Sequence, residues 1–226
     1  EIVTKAIGAV GKKAIPEDNF GHNLNEFLKL ISKKTKLIFI ANPNNPTGNL
    51  IEKSKLLNFL SKVPKNILVV LDEAYDEYLS DDCKSQAFNW LSEYKNLLIS
   101  RSFSKAHGLA GLRIGYGVGD ERLINLINRV RQPFNVNYIA QVAAIESLRD
   151  DEFIKKSRSM NDEGKKQLEQ VFREQKIQFI PSYGNFISFN LEDESKSMMY
   201  YQHLLKNGII VRPISNYELP SFLRVS

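Results

Sequence analysis

Three short, uninterrupted apolar runs constrain the fold of this chain more than any other feature. They are Leu37–Ala41, Ile67–Leu71 and Leu97–Ile99, and each is followed by polar residues. Such runs are typical of strands that are buried on both faces, as in a parallel sheet. Because helical or loop-rich stretches separate them, the sequence predicts an α/β domain with a largely parallel sheet. A fourth strand over Ile114–Val118 and a weak strand over Ala9–Ile15 are also predicted.

The second part of the chain has a different pattern. A long, charged helix is predicted over Asp151–Gln175, and several short apolar segments follow it, the last of them Phe222–Val225. This pattern indicates a smaller α+β domain, and we expect the division to fall between residues 1–145 and 146–226. Both domains are expected to be incomplete, because the chain lacks an initial methionine and stops inside a predicted strand.

The composition argues against several classes of function. The 226 residues are 42% hydrophobic and 25% charged, and no run approaches the roughly 20 apolar residues that span a bilayer. The net charge of +5 comes from scattered lysines, so neither a nucleic-acid nor a membrane partner is expected. No metal site is expected, because the three histidines lie far apart. The single cysteine, Cys83, cannot form an internal disulfide, which favours a cytoplasmic location.

Chemically suggestive side chains follow each of the three apolar runs. Asn45 follows the first run, Asp72 the second, and the segment Ser102–Lys105 the third. Ligands of parallel sheets bind beyond the carboxyl ends of the strands, where neighbouring strand ends meet. We therefore expect these side chains to face one ligand.

The segment Ser100–Gly117 indicates what that ligand is. It combines hydroxyls, glycines, Lys105 and Arg113. Hydroxyls and an arginine suit a bound phosphate, and a lysine beside them suits a covalent imine with a carbonyl compound. Pyridoxal phosphate (PLP) carries an aldehyde and a phosphate on one ring and so meets both needs. A polar loop with a solvated lysine is the ordinary alternative, and the segment alone does not decide between them.

Three residues near the other strand ends suit the ring of such a cofactor. Asp72 could hold a proton on the pyridinium nitrogen, or it could cap a helix. Tyr75, in a helical turn, would lie on the same side and could hydrogen-bond the phenolic oxygen; otherwise it is an ordinary half-buried tyrosine. Asn45 could donate to the same oxygen, or it could serve only as a turn residue between two prolines.

Four residues are candidates for binding anions. Ser102, Ser104 and Arg113 are the candidates for the phosphate, with a surface salt bridge as the alternative use of Arg113. Arg224 interrupts the apolar segment Phe222–Val225, which is unusual unless its guanidinium has a partner. A substrate carboxylate and a structural ion pair are the two alternatives for that partner.

Four motifs in order resemble those of one known family. They are Asn44–Gly48, Asp72–Tyr75, Ser102–Lys105 with Gly111–Gly115, and Phe222–Arg224. The set is similar to that of fold-type I, aspartate-aminotransferase-like PLP enzymes. Within this family, Gly208–Pro213 and Asn216–Pro220 are most similar to the corresponding segments of histidinol-phosphate aminotransferases.

The resemblance implies a role for each candidate. Lys105 would hold PLP covalently and move protons between substrate and cofactor. Asn45 and Tyr75 would bind the phenolic oxygen and Asp72 the ring nitrogen. The phosphate would be bound by Ser102, Ser104 and Arg113. The amino-acid carboxylate would be bound by Arg224 and, as a weaker candidate, Asn185.

The implied reaction moves an amino group between glutamate or 2-oxoglutarate and histidinol phosphate or imidazole-acetol phosphate, in histidine biosynthesis. Two alternatives remain within the resemblance, a PLP lyase such as a threonine-phosphate decarboxylase and a non-catalytic PLP-binding domain. A structural α/β interaction domain without PLP is a further class. The family also has an N-terminal segment that completes the cofactor site and the dimer interface. The full-length protein is therefore expected to be a homodimer.

Overall fold

The strands of this chain form two sheets that are joined by helices. The computed structural model describes residues 2–226. The helices are α1 (Ile2–Ala6), α2 (Leu24–Lys29), α3 (Lys53–Lys62), α4 (Glu121–Val130), α5 (Tyr138–Ser147), α6 (Asp151–Glu174) and α7 (Glu194–Lys206). The strands are β1 (Leu37–Ala41), β2 (Leu68–Asp72), β3 (Leu97–Ser102), β4 (Gly115–Gly119), β5 (Gln178–Ile180), β6 (Ile187–Asn190), β7 (Arg212–Pro213) and β8 (Phe222–Val225).

The first sheet has the strand order β1-β2-β3-β4. Strands β1, β2 and β3 are parallel, and β4 is antiparallel to β3. The predicted α/β domain with a largely parallel sheet is therefore confirmed. The weak strand predicted over Ala9–Ile15 is wrong: that segment is mostly exposed and is assigned no strand.

One face of the first sheet forms the larger hydrophobic core. Ile40 and Ile99 on this face are at most 1% exposed, and they cluster with Phe59 of α3. On the opposite face, Leu37 and Phe39 are 47% and 62% exposed. The prediction that β1 is buried on both faces is thus wrong for the part of the chain that the structure describes.

The second sheet is antiparallel, with the order β5-β6-β8-β7. Its core contains Ile187 and Leu223, both fully buried, together with Phe172 of α6. Helices α6 and α7 pack against its strands. This arrangement is the smaller α+β layer that the sequence predicts after the parallel sheet.

Hydrogen bonds from β6, from the loop before it and from α6 hold the second sheet against the carboxyl ends of the first. Ser188 on β6 donates from its hydroxyl to the carbonyl of Pro46 at 2.6 Å, in the loop after β1. The amide of Tyr183 donates to the carbonyl of Gly48 at 2.8 Å. On α6, Arg158 donates from Nε to the carbonyl of Glu77 at 3.1 Å. The second sheet therefore closes over the edge where β1 to β3 end.

None of the helices within residues 2–226 combines the length and the apolar character that crossing a membrane requires.

Candidate active site

Lys105 lies in the turn that follows β3. Its neighbours Phe103 and Ala106 are buried, which fixes the turn against the protein. The amine Nζ lies 5.3 Å from the centroid of the Tyr75 ring. Burial lowers the pKa of Lys105, and the nearby guanidinium groups of Arg224 and Arg113 lower it further, while Asp72 opposes them. A lowered pKa increases the fraction of neutral, nucleophilic amine near neutral pH.

Asp72 is the last residue of β2 and is paired in register with Ser100 of β3. Its Oδ1 accepts a hydrogen bond from the amide of Ala74 at 3.1 Å, so it stabilises the turn after the strand. The Asp72 side chain is accessible, yet the surrounding protein displaces part of its water, and this desolvation raises its pKa. The amide of Ala74, the Ser100 side chain and the charge of Lys105 act in the opposite direction and lower the pKa. Its local role as a turn residue is compatible with a second contact to a ligand in the cleft.

A continuous series of contacts joins the amine to the second sheet. The ring of Tyr75 packs edge-on against Phe186, with centroids 5.3 Å apart. The guanidinium carbon of Arg224 lies 5.0 Å from the centroid of Phe186. Arg224 also donates from Nη1 to Oδ1 of Asn45 at 2.5 Å. The helical turn predicted for Tyr75 is wrong, because the 3-10 turn begins only at Asp76, yet Tyr75 still reaches the same cleft.

Arg224 lacks the ion pair that a purely structural role predicts. Among the described residues, no carboxylate forms a salt bridge with it, and its buried Nε has no hydrogen-bond partner. A partly buried guanidinium charge without a carboxylate partner costs free energy, and a bound carboxylate would compensate that charge. This observation favours the anion-binding interpretation of Arg224.

The three phosphate candidates lie together. The amide of Ser104 donates to Oγ of Ser102 at 3.0 Å. Arg113 donates from Nη1 to Oγ of Ser104 at 3.4 Å and to the carbonyl of Ala110 at 2.8 Å. Arg113 has a φ of 54°, and this left-handed backbone conformation returns the chain towards the end of β3. Two hydroxyls and one guanidinium thus form one potential anion site.

Asn185 directly precedes the buried Phe186 in the sequence. Its side chain and that of Ser157 on α6 are hydrogen-bond partners of the Tyr78 hydroxyl. The weaker candidate for a substrate carboxylate therefore lies next to the ring that contacts Tyr75 and Arg224.

Sequence reasoning missed two features of this site. The sequence indicates Phe186 only as part of an apolar strand, because nothing local shows that its ring separates Tyr75 from Arg224. Arg101 was also missed, although a charged residue inside a buried strand is a usable signal that it has a partner.

The donor set of the cleft fits PLP. An amine with a lowered pKa matches the aldehyde, and the Asp72 carboxylate matches the ring nitrogen. Asn45 and Tyr75 can face a phenolic oxygen, and the Ser104–Arg113 pair matches a phosphate. The cleft also contains the guanidinium of Arg224, which contacts Asn45 and the ring of Phe186 and suits a second anion.

The fold and the site define the class of this protein, an aminotransferase-like α/β protein. More specifically, the chain belongs to the family of class I and II aminotransferases, which its sequence matches over residues 5–226.

Relatives within the family indicate a subgroup. The chain is 54% identical over 225 residues to a histidinol-phosphate aminotransferase of Methylobacillus flagellatus, covering 100% of this chain and 60% of the relative. It is 48% identical over 225 residues to a histidinol-phosphate aminotransferase of Haemophilus influenzae, covering 100% of this chain and 61% of the relative. The chain thus spans about 60% of the length of these curated relatives.

Solved structures show the same similarity. The crystal structure of histidinol-phosphate aminotransferase from Sinorhizobium meliloti, in complex with PLP, superimposes with a TM-score of 0.91 at 25% identity. That comparison covers 99% of this chain and 61% of the other. The enzyme of the same name from Clostridium acetobutylicum gives a TM-score of 0.88 at 27% identity, over 99% and 68% of the two chains.

Proposed function

We propose that the full-length protein is a PLP-dependent aminotransferase of histidine biosynthesis. It transfers the amino group of glutamate to imidazole-acetol phosphate, which gives 2-oxoglutarate and histidinol phosphate. The observation that carries this proposal is the convergence of Lys105, Asp72 and Arg224 on one cleft, where the charges of Asp72 and Arg224 both act on the Lys105 amine. The 54% identity to a histidinol-phosphate aminotransferase supports the choice of substrates.

The cofactor supplies an aldehyde and an electron-withdrawing ring. Lys105 would hold the cofactor through Nζ at the aldehyde carbon, with the aldehyde oxygen leaving as water, and the freed amine would carry the proton between the substrate's α carbon and that cofactor carbon. Asp72 keeps the ring nitrogen protonated. Asn45 and Tyr75 orient the phenolic oxygen. Ser102, Ser104 and Arg113 bind the phosphate.

The substrate carboxylate is assigned to the second sheet. Arg224 binds the carboxylate of glutamate or 2-oxoglutarate through its guanidinium, which also donates to Asn45. Its guanidinium is held in place by Asn45 and by the face of Phe186. Asn185 is proposed as a second, weaker contact to the same carboxylate.

Absorbance and turnover test the proposal with the full-length protein. Adding PLP should give an absorbance band near the visible edge, which Lys105→Ala abolishes and the exposed-lysine control Lys62→Ala retains. The loaded protein should convert histidinol phosphate and 2-oxoglutarate to imidazole-acetol phosphate and glutamate. Release of CO2 from threonine phosphate would instead identify a lyase. A folded full-length protein without the band would contradict the PLP assignment.

We also propose that the full-length protein is a homodimer in the cytoplasm. Large apolar side chains around α4 and α5 support a protein partner, since Val130 and Phe134 are 83% and 99% exposed. A second copy of the chain would cover them. The single cysteine supports a reducing compartment. Sedimentation equilibrium of the full-length protein tests the dimer, and a monomer at micromolar concentration would contradict it.

The domain division is proposed as residues 1–145 and 146–226. This boundary falls inside α5, between the last strand of the first sheet and the first strand of the second. Limited proteolysis of the full-length protein tests it, because first cuts inside either sheet rather than between them would contradict the division.

A further inference from the structure

A buried ionic cluster lies behind the candidate active site and takes no part in the proposed chemistry. Arg101 donates from Nε and Nη2 to Oε2 of Glu73 at 2.9 and 2.7 Å. Its Nη1 lies 2.9 Å from Oδ2 of Asp76 and 3.3 Å from Oε1 of Glu77. These four side chains, here called the Arg101 cluster, are each at most 11% exposed. The second oxygen of Glu73 accepts from the hydroxyl of Ser85.

The Arg101 cluster is not explained by stability alone. Three carboxylates surround one guanidinium, and burial raises the pKa of Glu73, Asp76 and Glu77. Burying ions is costly, and replacing a buried ion pair with apolar residues is often neutral or stabilising. Oε2 of Glu77 is also buried without a hydrogen-bond partner within residues 2–226. A forked guanidinium does, however, fix the direction and spacing of the groups it bridges.

Each part of the cluster adjoins a residue that is assigned to the cofactor. Glu73 directly follows Asp72, and Arg101 directly precedes Ser102. Glu77 lies 3.9 Å from Nε2 of His107, two residues after Lys105. The backbone reinforces the connection, because the amide of Glu73 donates to the carbonyl of Ser100 at 2.9 Å. The cluster therefore links the end of β2, the end of β3 and the Lys105 turn.

We infer that Arg101 is a positioning residue for the cofactor. Its guanidinium fixes the ends of β2 and β3 relative to each other, so that the ring-nitrogen carboxylate of Asp72 and the phosphate-binding hydroxyl of Ser102 keep the spacing that one PLP molecule requires. This inference rests on the proposed function. A lysine at position 101 keeps the charge but cannot bridge three carboxylates at once.

The test compares PLP with pyridoxal, which has the same ring and aldehyde but no phosphate. Dissociation constants for both are measured by absorbance with the full-length protein and with Arg101→Lys. PLP must reach both strand ends at once, whereas pyridoxal does not reach the phosphate site. We expect Arg101→Lys to weaken PLP binding about 10-fold to 100-fold, as loss of a supporting contact does in metal sites, and pyridoxal binding less than about threefold.

A matched control and a second variant keep the test decisive. Arg173→Lys alters an exposed arginine that pairs with Glu169 at 2.8 Å on α6, and it should change neither constant. If Arg101→Lys does not fold, Glu73→Asp takes its place, because it keeps the charge and shortens the side chain by one carbon. Glu73→Asp must also weaken PLP binding more than pyridoxal binding.

Two outcomes would overturn the inference alone. One is that the dissociation constants of PLP and pyridoxal both stay unchanged in the variants, and the other is that both ligands lose affinity equally, which together with a lower melting temperature marks a merely structural role. Failure of the unmodified full-length protein to bind PLP would instead overturn the proposed function and this inference with it.

Discussion

Arg224 on β8 donates a hydrogen bond to Asn45 in the loop after β1, and 179 residues of sequence separate the two. One of them belongs to the antiparallel sheet and the other to the end of the parallel sheet. Both sheets therefore contribute residues to the cleft. Any movement of the second sheet relative to the first would alter the anion site and the ring-binding asparagine together.

Replacing Arg224 should separate substrate binding from cofactor binding. Arg224→Gln removes a charge-assisted contact worth about 1.5–3 kcal/mol, which corresponds to a rise in KM for glutamate of roughly 10-fold to 100-fold. The absorbance band of bound PLP should remain, since Lys105 and the phosphate candidates are unchanged. Steady-state kinetics and absorbance of the full-length protein check this. Arg173→Gln, at an exposed site on α6, should leave the KM unchanged. An unaltered KM in Arg224→Gln would contradict the carboxylate assignment.

Asp72→Asn should impair the chemistry while sparing the local turn. Asparagine has nearly the same shape and still accepts from the amide of Ala74, but it cannot hold a proton on the ring nitrogen. We expect kcat to fall about 100-fold or more, with PLP still bound to Lys105. Stopped-flow absorbance of the loaded protein measures both properties.

The control for this prediction is Asp193→Asn. Asp193 caps α7 by accepting from the amide of Lys196, and asparagine caps equally well. The kcat of Asp193→Asn should match that of the unmodified protein. A kcat within about threefold of that value in Asp72→Asn would remove Asp72 from the proposed mechanism.

The parallel strands and the convergence of their ends could be predicted because both depend on local sequence. An apolar run fixes where a strand ends, and the next polar side chain must then lie at the carboxyl edge of the sheet. Asp72 follows this rule directly, and Asn45 and Lys105 lie in the polar turns that begin where β1 and β3 end. Their positions required no knowledge of how the second sheet packs.

The remaining features depend on contacts between distant parts of the chain. Phe186 lies between Tyr75 and Arg224 only because β6 and β8 dock over the ends of the first sheet. In the sequence, a phenylalanine of any other buried strand would show the same local pattern. The prediction that both faces of β1 are buried was wrong because an apolar run does not reveal whether other parts of the chain pack on one face of the strand or on both.

The pKa of Lys105 predicts how the rate of PLP attachment depends on pH. Burial, Arg224 and Arg113 lower this pKa, so the neutral amine becomes dominant at a lower pH than for a free lysine, whose pKa is about 10.4. The rate should therefore rise with pH and level off below that value. Arg113→Gln removes one cationic neighbour and should shift the midpoint of the rise to higher pH. Stopped-flow mixing of the apoprotein with PLP measures the midpoint.

Two details sharpen this measurement. Pyridoxal should be used in parallel, because Arg113 is also a phosphate candidate and its loss weakens PLP for a second reason. The upward shift of the midpoint should appear with both aldehydes, whereas the loss of affinity should appear with PLP alone. A midpoint that stays in place with both would contradict the effect of Arg113 on the pKa of Lys105.

Gly48 should tolerate no side chain, because it supports the contact between the two sheets. Its φ is +80°, and a Cβ atom at this position would lie 2.8 Å from the Cα of Ser182. We expect Gly48→Ala to reduce the free energy of unfolding by about 2 kcal/mol or more. A methyl group on Gly164 in α6 would meet no described atom within 4 Å, so Gly164→Ala should stabilise the helix by about 0.5–1 kcal/mol. The midpoint of urea unfolding of the full-length protein should therefore fall in Gly48→Ala and rise in Gly164→Ala. Midpoints that move in the same direction in both variants would contradict this packing of the two glycines.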